Sequence, residues 1–304
     1  MERANVTRSV EDAAALIKDG MTVATGGLLF ANHPMPIIRQ MIRNGVRNLT
    51  LVGPASSGLD VDLLIGAGCV TTLISPYVSG ESLIGYGPCY RQAVERGEMK
   101  VWEVTEGLEY MGLRAAALGL PFLPYRGGVG SDIPKLNPEI KEFRDPIKGE
   151  LLCAVPAIKP DVALIHVQRS DCYGNGQHLG STYGDRLMAH AADCVILTCD
   201  KLVSNEVIRR TPLLTTIAYA TVVVETAFGS HPYASHGLYG EDTEVLREYV
   251  EAAESRRTGN PDKFARFLDK YIHGPADHFA YLDLVGAARL VRLAASYDDL
   301  VQGG

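Results

Sequence analysis

Asp19-Gly20-Met21-Thr22-Val23-Ala24-Thr25-Gly26-Gly27-Leu28-Leu29-Phe30-Ala31-Asn32-His33-Pro34 is the stretch that decides the fold. The short run from Met21 to Thr25 reads as a strand. Gly26 and Gly27 stand at its C-terminal end. Pro34 then opens an amphipathic segment, Pro34 to Ile42, with helical spacing. A strand that feeds two glycines before a helix lets the backbone approach a ligand closely, because no Cβ blocks it. Free N–H groups there would hold an oxyanion or a carbonyl oxygen. The same pattern also serves as a tight strand-to-helix turn with no ligand.

Working outward, strand and helix patterns alternate. Val46 to Val52, Cys69 to Ser75, Lys100 to Val104, Leu151 to Val155, Val162 to Val167, Cys194 to Thr198 and Thr221 to Glu225 read as strands. Leu59 to Ile65, Cys89 to Arg96, Leu108 to Leu118 and Ser204 to Arg209 read as helices. Continuous apolar strands of this kind are buried on both faces, so the expectation is α/β: an open, mostly parallel sheet flanked by helices. Ser9 begins an early helix, with Asp12 placed for a capping pair. Gly127 to Asp145 reads as a long loop. From about Glu241 the pattern is helical, through Glu244 to Arg257, Asp262 to Ile272 and Leu282 to Leu293. One domain over residues 1–304, with a helical C-terminal portion, accommodates all of this.

The chain has 304 residues, 46% hydrophobic and 21% charged, as in ordinary globular proteins. Its formal net charge of −7, without a long basic run, argues against nucleic acid as a partner. Met1 to Arg8 lacks an apolar core, and no apolar stretch is long enough to span a bilayer. The six cysteines form no Cys-x-x-Cys pair, which points to reduced thiols and the cytoplasm. No metal site is expected. His231 and His236 lack a third ligand at metal-like spacing, and His166, inside an apolar strand, reads as a satisfied core residue. No Gly-x-Ser-x-Gly elbow supports a Ser-His-Asp triad.

Glu106 is the foremost catalytic candidate. It follows the strand Lys100 to Val104 and starts an apolar helix, where a carboxylate is well placed in an open sheet. Equally, it is a helix-start acid favoured by the macrodipole. Arg126 would hold a substrate carboxylate or keep Glu106 ionised, or else pair with surface acids. Gly127 and Gly128 would let the backbone come close. Tyr77, Ser79 and Gly80 form a loop after a strand, open to substrate contact or to a plain loop role.

The Asp-Gly, strand, Gly-Gly, proline pattern resembles the first signature of family I CoA-transferases, with Leu28 where that family usually has Phe and Asn32 where Gly is common. Arg114 to Pro124, Asp161 to Gln168 and Gly229 to Tyr239 are similar, in order, to segments of the glutaconate CoA-transferase α subunit. Asp171 to Gly176 resembles the family's Asp-x-x-Gly-Asn loop. The resemblance implies a CoA-transferase-type fold and a coenzyme A thioester as substrate, with no permanently bound cofactor. It implies a β-type partner in a hetero-oligomer, of α2β2 form, because no β-type Glu-x-Gly nucleophile segment is present. It also places Gly26 and Gly27 beside the acyl carbonyl, and Asn32 against the substrate. Thr105-Glu106-Gly107-Leu108 and Pro124-Tyr125-Arg126-Gly127-Gly128 resemble another branch, the α subunit of an actinobacterial steroid-ring-opening hydrolase. That branch implies a basic role for Glu106 with Arg126 nearby. CoA transfer is the first expectation and hydrolytic carbon–carbon cleavage the second. A non-catalytic partner protein is the third.

Overall fold

The computed structural model describes residues 3–302. Helix α1 (Val10–Ala14) precedes β1 (Thr22–Thr25). There follow α2 (Met35–Arg43), β2 (Leu49–Val52), α3 (Leu59–Gly66), β3 (Val70–Ile74), α4 (Pro88–Glu95), β4 (Lys100–Trp102) and α5 (Glu106–Ala117). Then come β5 (Phe122–Tyr125), α6 (Ile133–Leu136), β6 (Lys141–Arg144) and β7 (Leu151–Pro156). The chain continues through β8 (Val162–Ser170), β9 (Gly176–Gln177), α7 (Asp185–Ala191), β10 (Cys194–Leu202), α8 (Asn205–Arg210), β11 (Thr215–Ile217) and β12 (Val222–Glu225). It closes with α9 (Thr243–Arg257), α10 (Asp262–Leu268), a π-helical turn at Asp269–His273, α11 (His278–Val285) and α12 (Ala287–Gln302).

The main sheet is the expected parallel one. Side by side, its parallel strands run β4-β3-β2-β1-β8-β10-β12, with β9 and β11 added antiparallel at one end of β8. Successive side chains along a strand face opposite layers. Val23, Leu51 and Leu73 pack towards α2, α3, α9 and α10. Ala24, Val52 and Ile74 pack on the other face, towards α5 and α7. The C-terminal helices are pinned to α2 by Arg39, which is 2% exposed. Its guanidinium lies 3.7 Å from the Tyr281 ring centre and donates to the His231 carbonyl oxygen at 3.1 Å. Burial lowers its pKa to about 10.

Three expectations need correction. Leu151 to Val155 is a strand, but it belongs to a separate antiparallel sheet of order β5-β7-β6 rather than to the parallel one. An apolar run states burial, not which sheet receives it. The Gly127 to Asp145 segment is not all loop, since it holds α6 and β6. The helix expected from Leu282 to Leu293 is interrupted at Gly286, whose φ of +91° ends α11 before α12 begins. Of the expected capping pair, the Ser9 half forms: Ser9 Oγ accepts from the Asp12 N–H at 3.0 Å.

Candidate active site

The strand order reverses direction between β1 and β8. β1 leads outward to β2, β3 and β4, whereas β8 leads to β10 and β12. Open α/β sheets bind ligands at such a switch point, beyond the C-terminal ends of the strands. Gly26 and Gly27 lie there. β1 stops at Thr25, and Gly26 N–H makes one last bond to the Leu164 carbonyl at 2.8 Å. β8 runs on to Ser170, where β9 pairs with it.

The chain leaves the sheet at Gly27 with φ +90°. A Cβ on Gly27 would lie 2.7 Å from the Ala31 carbonyl oxygen and 2.8 Å from that of Asn32, and one on Gly26 would lie 2.6 Å from Asp185 Oδ1. Both glycines are therefore needed for close approach. The expectation of free N–H groups is not met in this chain. Gly27 N–H donates to Asp185 Oδ1 at 2.8 Å, in a buried bond. Asp185 Oδ2 lies 3.1 Å from His178 Nε2, and His178 Nδ1 is 2.5 Å from Thr216 Oγ1. Asp185 and His178, which sequence reasoning missed, clamp the glycine corner. Their spacing from the corner, 158 residues for Asp185, leaves no local signal.

Asn32 is buried with φ +61°. Its Oδ1 accepts from Gln168 Nε2 at 2.9 Å and from His236 N–H at 3.3 Å. Gln168 also donates to Ser235 Oγ, which donates to Asp200 Oδ2. His166 lies 2.9 Å from the same Asp200 oxygen and 2.9 Å from Thr198 Oγ1, a satisfied core histidine as read. Asn32 thus anchors the loop into a buried polar frame. Tyr77 joins the corner from the β3 end. Its hydroxyl donates to Ser56 Oγ at 2.7 Å, and the Ser56 carbonyl accepts from Leu29 N–H at 3.1 Å. Ser79 Oγ accepts from Glu81 N–H, and Gly80 N–H donates to Ile84 O.

Glu106 opens α5, capped by Thr105 Oγ1, which accepts from Leu108 N–H at 3.4 Å. It is exposed on this chain's surface. Arg126 is exposed too and forms an ion pair with Glu150 rather than with Glu106. The two nevertheless share one corner of the fold, because a Cβ on Gly107 would meet the ring of Tyr125, which closes β5. Gly128 turns the chain after Arg126 with φ +94°, and a Cβ on Gly127 would lie 2.9 Å from Tyr125 Cδ1.

The most unusual group was not foreseen. Glu109, one helical turn after Glu106, is 0% exposed, and neither carboxylate oxygen has a hydrogen-bond partner among the described residues. Burial, with the nearby Glu106 charge adding to it, holds this carboxyl well above the ordinary glutamate value of 4.5. The folded chain therefore binds a proton that the unfolded chain releases above about pH 4.5. Stability is full below that pH and falls as pH rises through the folded value. Glu109→Leu is expected to stabilise the fold at pH 4.5 by about 1–3 kcal/mol, because even the protonated carboxyl is buried without a partner, and by more at pH 8, where only the unfolded chain releases the proton freely. Urea unfolding at the two pH values checks it; an equal gain at both would refute the buried-proton account.

No helix among the described residues is long and apolar enough to cross a membrane. The family model for coenzyme A transferases matches residues 7–225. The A-type subunit of glutaconate CoA-transferase from Acidaminococcus fermentans is 31% identical over 94% of this chain and 93% of its own length. The solved structure of that enzyme superposes with a TM-score of 0.87, covering 94% of this chain and 95% of that one at 30% identity. The cholesterol ring-cleaving hydrolase IpdA subunit of Rhodococcus jostii is 33% identical over 89% of this chain and 93% of its own length. An uncharacterized Archaeoglobus fulgidus protein is 39% identical over 95% of this chain, which spans 64% of that protein's length. The glycine corner at the switch point, the α/β sheet around it and these likenesses agree: the chain belongs to the coenzyme A transferase family.

Proposed function

We propose that this chain is the α-type subunit of a two-subunit enzyme that moves CoA between an acyl-CoA and a carboxylic acid. The carrying observation is the likeness to the A-type subunit of glutaconate CoA-transferase, which extends over nearly the whole of both chains. The acyl-CoA thioester is the substrate, and no resident cofactor is required. A β-type partner supplies the nucleophilic carboxylate, since this sequence has no segment of that kind. Such a carboxylate takes CoA from the donor as a covalent enzyme thioester, releases the first acid and passes CoA to the second, in ping-pong order. This chain contributes the rigid wall at the β1–β8 switch point, held by Asp185 and Asn32.

A second reading has its own observation. Glu106 starts α5 and Arg126 follows β5, whose Tyr125 ring lies against Gly107, and the hydrolase branch implies a working pair of these two types. With Glu106 as a base, water would add to a CoA-linked cyclic ketone and cleave a carbon–carbon bond.

One experiment separates the two. The two-subunit complex and its Glu106→Gln variant are assayed with acyl-CoA plus acceptor acid and with a cyclic CoA-linked ketone, and hydroxylamine or borohydride traps any thioester. The expected result is a trapped glutamyl–CoA thioester on the partner, with Glu106→Gln within a few-fold of wild type in transfer. No trapped intermediate, together with ring opening that falls roughly 100-fold in Glu106→Gln, would overturn transfer in favour of hydrolysis.

A further inference from the structure

Beside the glycine corner, α5 and α7 leave a cleft of about 380 Å³ between them. Tyr110, Arg114, Tyr183, Gly184, Arg186 and His190 line it. The side chains of Arg114, Arg186 and His190 have no hydrogen-bond or ion-pair partner among the described residues, and all three residues are exposed. The acids next to them in sequence are engaged or buried elsewhere. Asp185, beside Arg186, is buried against Gly27 and His178. Glu109, beside Tyr110, is buried in the core. Arg186 also stands in the first turn of α7, where a cation opposes the helix dipole. Two guanidinium groups and an imidazole thus line one opening with no carboxylate bonded to them among the described residues, although Glu106, Glu109 and Asp185 lie near enough to act on Tyr110.

The cleft adjoins the candidate site on both sides. Glu106 lies on the same helix as Arg114, about 12 Å away along its axis. Gly184 precedes Asp185, the clamp of Gly27, and a Cβ on Gly184 would lie 3.1 Å from Tyr110 Cε1. The Tyr183 hydroxyl is 3.3 Å from His236 Nε2, and the other nitrogen of that ring is 3.4 Å from Asn32 Nδ2.

We propose that this cleft is an oxyanion subsite that receives a terminal anionic group of the CoA thioester. The inference rests on the CoA-thioester reading above. Guanidinium pairs bind carboxylate and phosphate alike through paired N–H bonds. The two sources on such a substrate are a carboxylate at the far end of the acyl group and the phosphates of CoA. The wall shared with Asn32 through Tyr183 and His236 places the cleft close to the acyl end.

The test uses the two-subunit complex and its Arg114→Gln/Arg186→Gln double variant, with glutaryl-CoA, butyryl-CoA and glutaryl-pantetheine as donors. The double variant is expected to lose on the order of 10- to 100-fold in kcat/KM, through KM, for both glutaryl donors and to leave butyryl-CoA unchanged. Loss on both CoA thioesters but not on glutaryl-pantetheine would instead make the phosphates the bound group and still uphold the subsite. Unchanged KM for all three overturns the subsite while leaving the transferase reading intact. Equal loss on all three marks a general disturbance and overturns it too. If the wild-type complex turns over no CoA thioester, the transferase reading falls, and titration of the full chain with glutarate and with adenosine 3′,5′-bisphosphate decides the cleft. Binding abolished in the double variant upholds it; absent or unchanged binding overturns it.

Discussion

Gly27→Val is expected to lose about 3–5 kcal/mol of folding stability, the sum of overpacking and backbone strain. A β-branched residue at φ +90° is a steric outlier on its own account. The added Cβ also meets two backbone carbonyl oxygens, those of Ala31 and Asn32, at 2.7 and 2.8 Å. Neither can rotate away, because Ala31 O accepts from Leu28 N–H and the Asn32 side chain is tied to Gln168. Gly20→Ala supplies the control. Gly20 has a similar φ of +80° but open space around its missing Cβ. It should lose only about 1 kcal/mol, the strain alone. Chemical denaturation of both variants checks the pair, and a Gly27→Val chain no less stable than Gly20→Ala would refute the collision. The structure thus makes this substitution a folding lesion first, with any loss of activity following from it.

Asp185→Ala should be comparably severe, at about 3–5 kcal/mol. It leaves the Gly27 N–H and His178 Nε2 without a partner in a site that water does not reach. Asp185→Asn is the informative companion. Its carbonyl oxygen still accepts from Gly27, and its amide donates to His178 once that ring carries its proton on Nδ1 and donates to Thr216 Oγ1. The loss should then shrink to about 1 kcal/mol. Denaturation curves give the ranking, and nitrogen-15 spectra of His178 report the tautomer. An Asn variant as damaged as the Ala variant would show that charge, not hydrogen-bond geometry, holds the corner.

The parallel sheet was legible because its strands are buried on both faces and carry apolar runs such as Val162 to Ile165. The glycine corner was legible because only Gly-Gly allows a strand to end so near another segment. What stayed hidden depends on contacts far apart in the chain. Asp185 sits in Thr-Tyr-Gly-Asp-Arg, which reads as a polar turn, and its partner lies 158 residues away. Glu109 reads as one more polar residue of a mixed helix, and only the packing of α5 and α7 over the sheet shows it buried. Glu106 and Arg126 were picked by type and position. The structure packs their neighbours Gly107 and Tyr125 together, yet leaves Glu106 and Arg126 on the surface of this chain and gives Arg126 to Glu150.

The central place of β1 also sets an order of events during synthesis. β1 pairs with β2 on one side at once, but on the other side it waits for β8. The Thr22 amide and the Asp161 carboxylate that joins it are 139 residues apart. At ribosomal speeds that separation is on the order of 10 s. Throughout that interval the strand that will be innermost in the finished sheet is an unpaired edge, with a row of free backbone N–H and C=O groups open to any other strand nearby. The nascent chain is most exposed to mispairing before Val162 emerges, and a ribosome stalled upstream of that residue presents this edge to chaperones or to aggregation.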